Sequence, residues 1–142
     1  MPLHDRNVQD SLVIAPQAMT NSATVTANLD CLGADYATIR IALASEINTN
    51  ATGPTLSLLE SDDTVVTNFA TVVADRADED ITSAKEVTYG VDLRGRKRYL
   101  RLSFTTSNTT HDDVTVSAIG TLSRMKEQPS GTTDAGDVVV YV

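Results

Sequence analysis

An all-β fold, a sandwich or barrel of about eight short antiparallel strands, is what this sequence predicts. Three observations carry that prediction. Short apolar–polar alternations recur along the chain, separated by clusters of Gly, Pro, Asn, Asp and Ser. No segment carries a convincing helical period. Threonine and valine are frequent, whereas aromatic residues make up 4% and tryptophan is absent, so the core has to be built from Val, Ile, Leu and Ala. With 142 residues the chain reads as one domain that can bury a real core.

Taken in order, Ser11-Leu-Val-Ile14 reads as a short strand ended by Ala15-Pro16. Residues 1–12 read as an N-terminal arm and 13–124 as the sandwich domain. From Ser22 to Leu29 the residues Ala23, Val25, Ala27 and Leu29 share the inward face. Gly33-Ala-Asp35 is a turn. From Tyr36 to Leu43 the inward set is Ala37, Ile39, Ile41 and Leu43. Residues 48–54 meet every loop criterion. Leu56 and Leu58 mark the next strand, and Asp62-Asp63 begins a turn. Val65-Val66 and residues 69–73 fit a strand or a short helical turn, and Asp75-Arg-Ala-Asp-Glu-Asp80 reads as a polar loop. Val87, Tyr89 and Val91 share one face of a strand over residues 86–93.

Residues 98–122 are the most regular stretch and read as a hairpin. Its first run buries either Leu100, Leu102 and Phe104 or Tyr99, Arg101 and Ser103, depending on register. Its second places Val114, Val116, Ala118 and Gly120 together. Residues 125–137 form a linker rich in Gly, Pro, Ser, Thr and Asp. They lead to Val138, Val139, Val140, Tyr141 and Val142, an apolar run that invites pairing with any open sheet edge. Strand addition to a neighbouring copy is the preferred reading of these five residues. A last strand in the chain's own sheet is the alternative. Residues 125–142 are thus a linker and a C-terminal strand arm.

The net charge of −8 argues against nucleic acid as a partner. No apolar run approaches the roughly 20 residues that a membrane helix needs, and the polar N-terminus lacks the pattern of a signal peptide, so the expectation is a soluble chain with no membrane partner. The single cysteine, Cys31, rules out an intrachain disulfide and reads as a small core hydrophobe.

Little in the sequence looks catalytic. His111-Asp112-Asp113 offers a nitrogen and two carboxylates, but adjacent side chains on a turn seldom converge on one ion. His4 and His111 sit on an arm and in a turn, poor positions for a Ser-His-Asp triad. Asp75 to Asp80 departs from a calcium loop, with Ala77 at the third position, where an acid belongs, and Asp80 at the sixth, where glycine belongs. No phosphate-binding glycine loop occurs. The expectation is no enzyme, no cofactor and no metal. The one charge anomaly is Arg94, Arg96, Lys97, Arg98 and Arg101, which hold five of the eleven basic residues. Such a cluster suits contact with an acidic partner surface. The four basic residues Arg94, Arg96, Lys97 and Arg98 and the five residues from Val138 to Val142 are the candidate partner-binding residues.

The run Arg94-Gly-Arg-Lys-Arg-Tyr-Leu-Arg-Leu-Ser-Phe-Thr, closing through Val114-Thr-Val-Ser-Ala-Ile-Gly-Thr-Leu122, resembles the small virion proteins of tailed bacteriophages, most closely the head decoration or cement proteins. The resemblance covers about 30 residues directly, and the acidic stretch 60–86 departs from it. It implies a jelly-roll-like sandwich, commonly a homotrimer, bound to the major capsid protein on the outside of an assembled capsid, with terminal arms that reach neighbours. It also implies synthesis in the host cytoplasm and no catalytic residues. Another virion part (tail, adaptor or fibre) is the next reading. A carbohydrate-binding sandwich is the third, and would need Tyr36, Tyr89, Tyr99 and Tyr141 on one surface.

Overall fold

The computed structural model describes residues 8–20, 22–44, 55–77, 85–106, 114–123 and 138–141. They form nine strands: β1 (Val8–Met19), β2 (Thr24–Asp30), β3 (Tyr36–Ala44), β4 (Thr55–Ser61), β5 (Ala70–Ala77), β6 (Lys85–Asp92), β7 (Tyr99–Thr105), β8 (Val114–Ser123) and β9 (Val138–Tyr141). A single 3-10 turn, Val66–Asn68, joins β4 to β5.

Two sheets face each other, ordered β1-β8-β3-β6-β9 and β2-β7-β4-β5. The antiparallel pairs β1·β8, β2·β7, β3·β6 and β4·β5 are nested, so the first half of the chain runs alongside the second half reversed. Rolling this double ribbon brings β3 against β8 and β4 against β7. That arrangement is a jelly roll, as the resemblance implied.

The alternation in sequence becomes burial. Ile39 and Ile41 of β3, Leu56 and Leu58 of β4, Val87, Tyr89 and Val91 of β6, and Val116 and Ala118 of β8 all lie in one apolar core. In β7 the buried set is Leu100, Leu102 and Phe104, which settles the register left open by the sequence. Cys31 lies in the same core, and burial pushes its thiol up to about 11.

Three expectations need correction. The stretch 98–122 is not a hairpin. β7 sits between β2 and β4 in one sheet, and β8 sits between β1 and β3 in the other. Alternation specifies which face is buried and is silent on which strand lies alongside. A chain leaving β7 is long enough to cross the roughly 10 Å between sheets, and among the described strands β4 and β5 make the one hairpin of consecutive strands. Second, the first strand starts at Val8 and continues past Pro16 to Met19, so residues 8–12 of the expected arm are ladder residues. Register shifts between Leu12 and Ile14 and between Ile14 and Gln17 take up the interruption. β1 is an edge strand, where proline and bulges are tolerated. Third, Asp75, Arg76 and Ala77 belong to β5 and not to a loop. Residues 78–80, His4 and His111 lie outside the described residues.

β9 pairs with the outer edge of β6, in parallel, within the same chain. Val138, Val139, Val140 and Tyr141 stand opposite Val87, Thr88, Tyr89 and Gly90. In the single chain these residues therefore complete their own sheet, which was the alternative reading. Val142 lies outside the described residues.

Candidate functional site

The register places the two ends of the sandwich. Tyr36 is opposite both Asp92 and Ser123, and Tyr99 is opposite both Asp30 and Ser61. One end is therefore built from the β2–β3, β4–β5 and β6–β7 turns together with the start of β1 and the end of β8. Backbone hydrogen bonds tie these turns to each other. The Cys31 amide donates to the Arg98 carbonyl (2.9 Å), the Leu93 amide to the Asp35 carbonyl (2.8 Å) and the Asp35 amide to the Ser123 carbonyl (3.0 Å). Gly95 takes φ +86°, the left-handed region, at the bend of the basic β6–β7 turn.

Every cation of that turn meets a carboxylate of its own chain. Arg94 donates through Nε and Nη2 to the two oxygens of Asp92, at 2.9 and 2.6 Å. Arg98 makes the same two-pronged contact with Asp30, at 2.9 and 2.7 Å. Arg96 lies 3.8 Å from Glu60, and Lys97 lies 3.8 Å from Asp62. The two bidentate arginines also cover rings, Arg94 over Tyr36 (5.2 Å to the centroid) and Arg98 over Tyr99 (4.8 Å).

The sequence exposed the cations but not their partners. Asp92 is two residues from Arg94, whereas Asp30 is 68 residues from Arg98. The cluster is consequently close to neutral, an alternating field of paired charges with little net attraction for phosphate. Arg101 stands apart from it. It is buried on the outer side of β7, donates from Nε to Asn28 Oδ1 at 2.8 Å, and lies beneath the Phe69 ring at 3.9 Å.

Around this end the structure adds something that alternation did not reveal. Leu32, Val65 and Val66 are 72%, 53% and 71% exposed, and all three sit on its turns. Exposed aliphatics beside neutralised ion pairs make a surface suited to another protein. A second apolar pair, Leu12 and Ile119, stands cross-strand on the outer face of β1 and β8.

Among the described side chains, the tyrosines do not gather into a sugar platform. Tyr89 is in the core, Tyr36 is buried beneath Arg94, and Tyr99 is partly covered by Arg98. Among the described residues no three His, Cys, Asp or Glu side chains are grouped to hold a metal ion. No helix of the described residues is long and apolar enough to cross a membrane.

The ion pairs have a consequence for acid stability. The Arg94 guanidinium and amide hold Asp92 at about 2, and the Arg98 guanidinium holds Asp30 below its ordinary value. A carboxyl depressed in the folded state stabilises the fold above its unfolded value near 3.9 and loses that contribution as pH falls through the folded value. Between pH 4 and pH 2 the melting temperature is therefore expected to fall. In an Asp30→Asn/Asp92→Asn variant that slope is expected to flatten, with the variant less stable at pH 6 and converging with wild type near pH 2. Thermal melts by circular dichroism at each pH check this, and an unchanged slope would remove these pairs from the account.

No protein-family model matches the sequence, and no curated protein matches it. Solved structures match at the level of fold. The enzymatically active domain of tailspike protein 4 of bacteriophage CBA120 aligns with a TM-score of 0.51 and 12% identity, over 82% of this chain and 19% of that one. The VP2 subviral particle of infectious bursal disease virus aligns with a TM-score of 0.50 and 11% identity, over 85% of this chain and 34% of that one. The chain thus spans a fifth to a third of the length of these proteins, and what it is similar to in them is one β-sandwich.

Proposed function

We infer that the chain is a non-enzymatic structural component of a virus particle, bound as a cement or decoration subunit on the outside of an assembled phage capsid across capsomer junctions. The observation that carries this reading is the jelly roll with a closed interior. Its inward positions hold aliphatic and aromatic side chains packed as one core, which leaves recognition to turns, edges and chain ends. The turn end, with Leu32, Val65 and Val66 around the paired charges, offers one contact surface to a major capsid protein. The resemblance of residues 94–122 to phage decoration proteins and the likeness in fold to two proteins from virus particles support the same reading.

Mechanically the role is coherent. A cement subunit has to add binding energy at every junction of a shell under internal pressure, and many modest interfaces acting together do so. A homotrimer fits a local three-fold axis, since one self-association then satisfies the symmetry of the site. In such an interface the Arg94–Asp92 and Arg98–Asp30 pairs act as fixed, oriented charges. They select a partner surface more than they add affinity.

Sedimentation of the purified protein with undecorated phage heads tests the proposal. The expected result is saturable co-sedimentation at hundreds of copies per head, weakened when Leu32, Val65 and Val66 are replaced together by serine. Protein that stays in the supernatant at every concentration would overturn it. The likeness to a tailspike domain gives the second reading, a tail component. A few copies per intact particle, with none on emptied heads, would favour it.

A further inference from the structure

We propose that the outer edge of β6 is a strand-acceptor site that takes the Val138–Tyr141 strand of a second copy of this chain, so that neighbouring copies are joined by exchange of β9. Four observations lead there. β9 is four residues long and pairs with β6 alone, at the rim of its sheet. It is also the one parallel pairing in a fold whose other described strand pairs are antiparallel, and parallel ladders are slightly weaker per residue. It can therefore leave without disturbing the nested ribbon.

The β6 edge is built to be covered. Val87, Tyr89 and Val91 are buried along it, and β6 pairs with β3 without a register shift. At the opposite rim of the same sheet, β1 carries Pro16 and two register shifts, the usual protection of an edge that is to stay unpaired. One rim is thus blunted, and the other is closed by a removable strand.

The reach is ample. Residues 124–137 separate β8 from β9. A segment of that length extends to about 45 Å. In the same chain the path from the end of β8 to the start of β9 is three strand spacings across and five residues back, roughly 20–25 Å. The excess spans to an adjacent subunit.

The occupant is a second copy and not an unrelated peptide because each copy carries the segment that already fits. The register Val87–Val138, Thr88–Val139, Tyr89–Val140 and Gly90–Tyr141 is reproduced without change when the strand comes from a neighbour, which is why exchange is a low-cost route to assembly. What decides between own and neighbour's strand is concentration. A tethered strand competes at an effective concentration in the millimolar range. Copies held side by side on a surface reach the same range, so the inference deepens the shell-bound reading, and its test needs no shell.

The test uses full-length chains. Thr88 and Val139 are opposite each other across the ladder. Adjacent strands lie about 4.8 Å apart, a separation that a disulfide bridges. Cys31 does not compete, being buried with its thiol pushed up to about 11.

A Thr88→Cys/Val139→Cys double variant, oxidised at low micromolar concentration, is expected to close within one chain. An equal mixture of the Thr88→Cys and Val139→Cys single variants, incubated from about 10 µM to about 1 mM before oxidation, is expected to give a covalent heterodimer. Its yield should rise steeply with concentration and exceed either homodimer about tenfold. A Val140→Asp change in the Val139→Cys chain should abolish it. Heterodimer no more abundant than homodimers at about 1 mM would overturn the exchange, and failure of the double variant to close would overturn the acceptor site itself. Heterodimer formation by a protein that does not bind phage heads would leave the exchange standing and remove only the capsid reading.

Discussion

Replacing Phe104 with alanine is expected to cost about 3–5 kcal/mol of folding stability. Phe104 is fully buried near one end of β7, between Val25 of β2 and Leu56 of β4. It is one of only two phenylalanines in the chain. The neighbours cannot collapse into the space easily. Branched residues have few rotamers, and both flanking strands are pinned by ladder hydrogen bonds. The cost should therefore lie in the upper part of the range, a large share of the 5–15 kcal/mol that holds a domain of this kind together. Urea titration is the measurement. The midpoint should fall with the m-value unchanged, and Phe104→Leu should recover more than half of the loss. A cost below about 1.5 kcal/mol would mean that this end of the core is loosely filled.

The same residue shows how much of the fold was legible in the sequence. The inward faces of β2, β3, β4, β6 and β8 could be read directly, because a residue's side in a strand follows from parity alone. For β7 parity left two answers, and the burial of Leu100, Leu102 and Phe104 chose the more apolar one. Pairing was not legible. β7 and β8 look like a hairpin and are separated into two sheets, since neighbours in a jelly roll are set by the nesting of the whole chain. Pro16 reads as a strand end in the sequence, whereas two register shifts carry β1 past it to Met19.

At the candidate site the cations were visible as a cluster, but Asp30, Glu60 and Asp62 were not. They come from β2, β4 and the β4–β5 turn and meet the β6–β7 turn only after rolling. The C-terminal strand was visible from its composition. Its place on β6 depends on which edge is left bare, and that is a property of the completed sheet.

Gly120→Val is expected to destabilise by about 2 kcal/mol, and the reason lies in how closely the two sheets approach. Gly120 is on the inner face of β8, opposite Ser11 of β1 and Ile39 of β3. A Cβ placed there would meet Leu29 Cδ2 and Val13 Cγ2, each at 3.0 Å, and Leu29 Cδ1 at 3.4 Å. Leu29 belongs to β2, in the facing sheet, so the missing side chain is what lets the sheets close at this corner.

The atoms met are the ends of side chains, not backbone, and they can give by a few tenths of an ångström. For Gly120→Ala that small repulsion is offset by the entropy saved when glycine leaves a strand interior, roughly 0.5–1 kcal/mol. The net change should be near zero. Valine brings two more carbons into the same gap, beyond what Leu29 and Val13 can yield, and its better strand propensity does not compensate. Guanidinium titrations of both variants distinguish these cases. A Gly120→Val/Leu29→Ala double variant should then be more stable than the sum of the two single losses by 1 kcal/mol or about that, because the cavity left by Leu29 receives the valine. Additive losses would mean that the strain falls on the β8 backbone and not on the contact between the sheets.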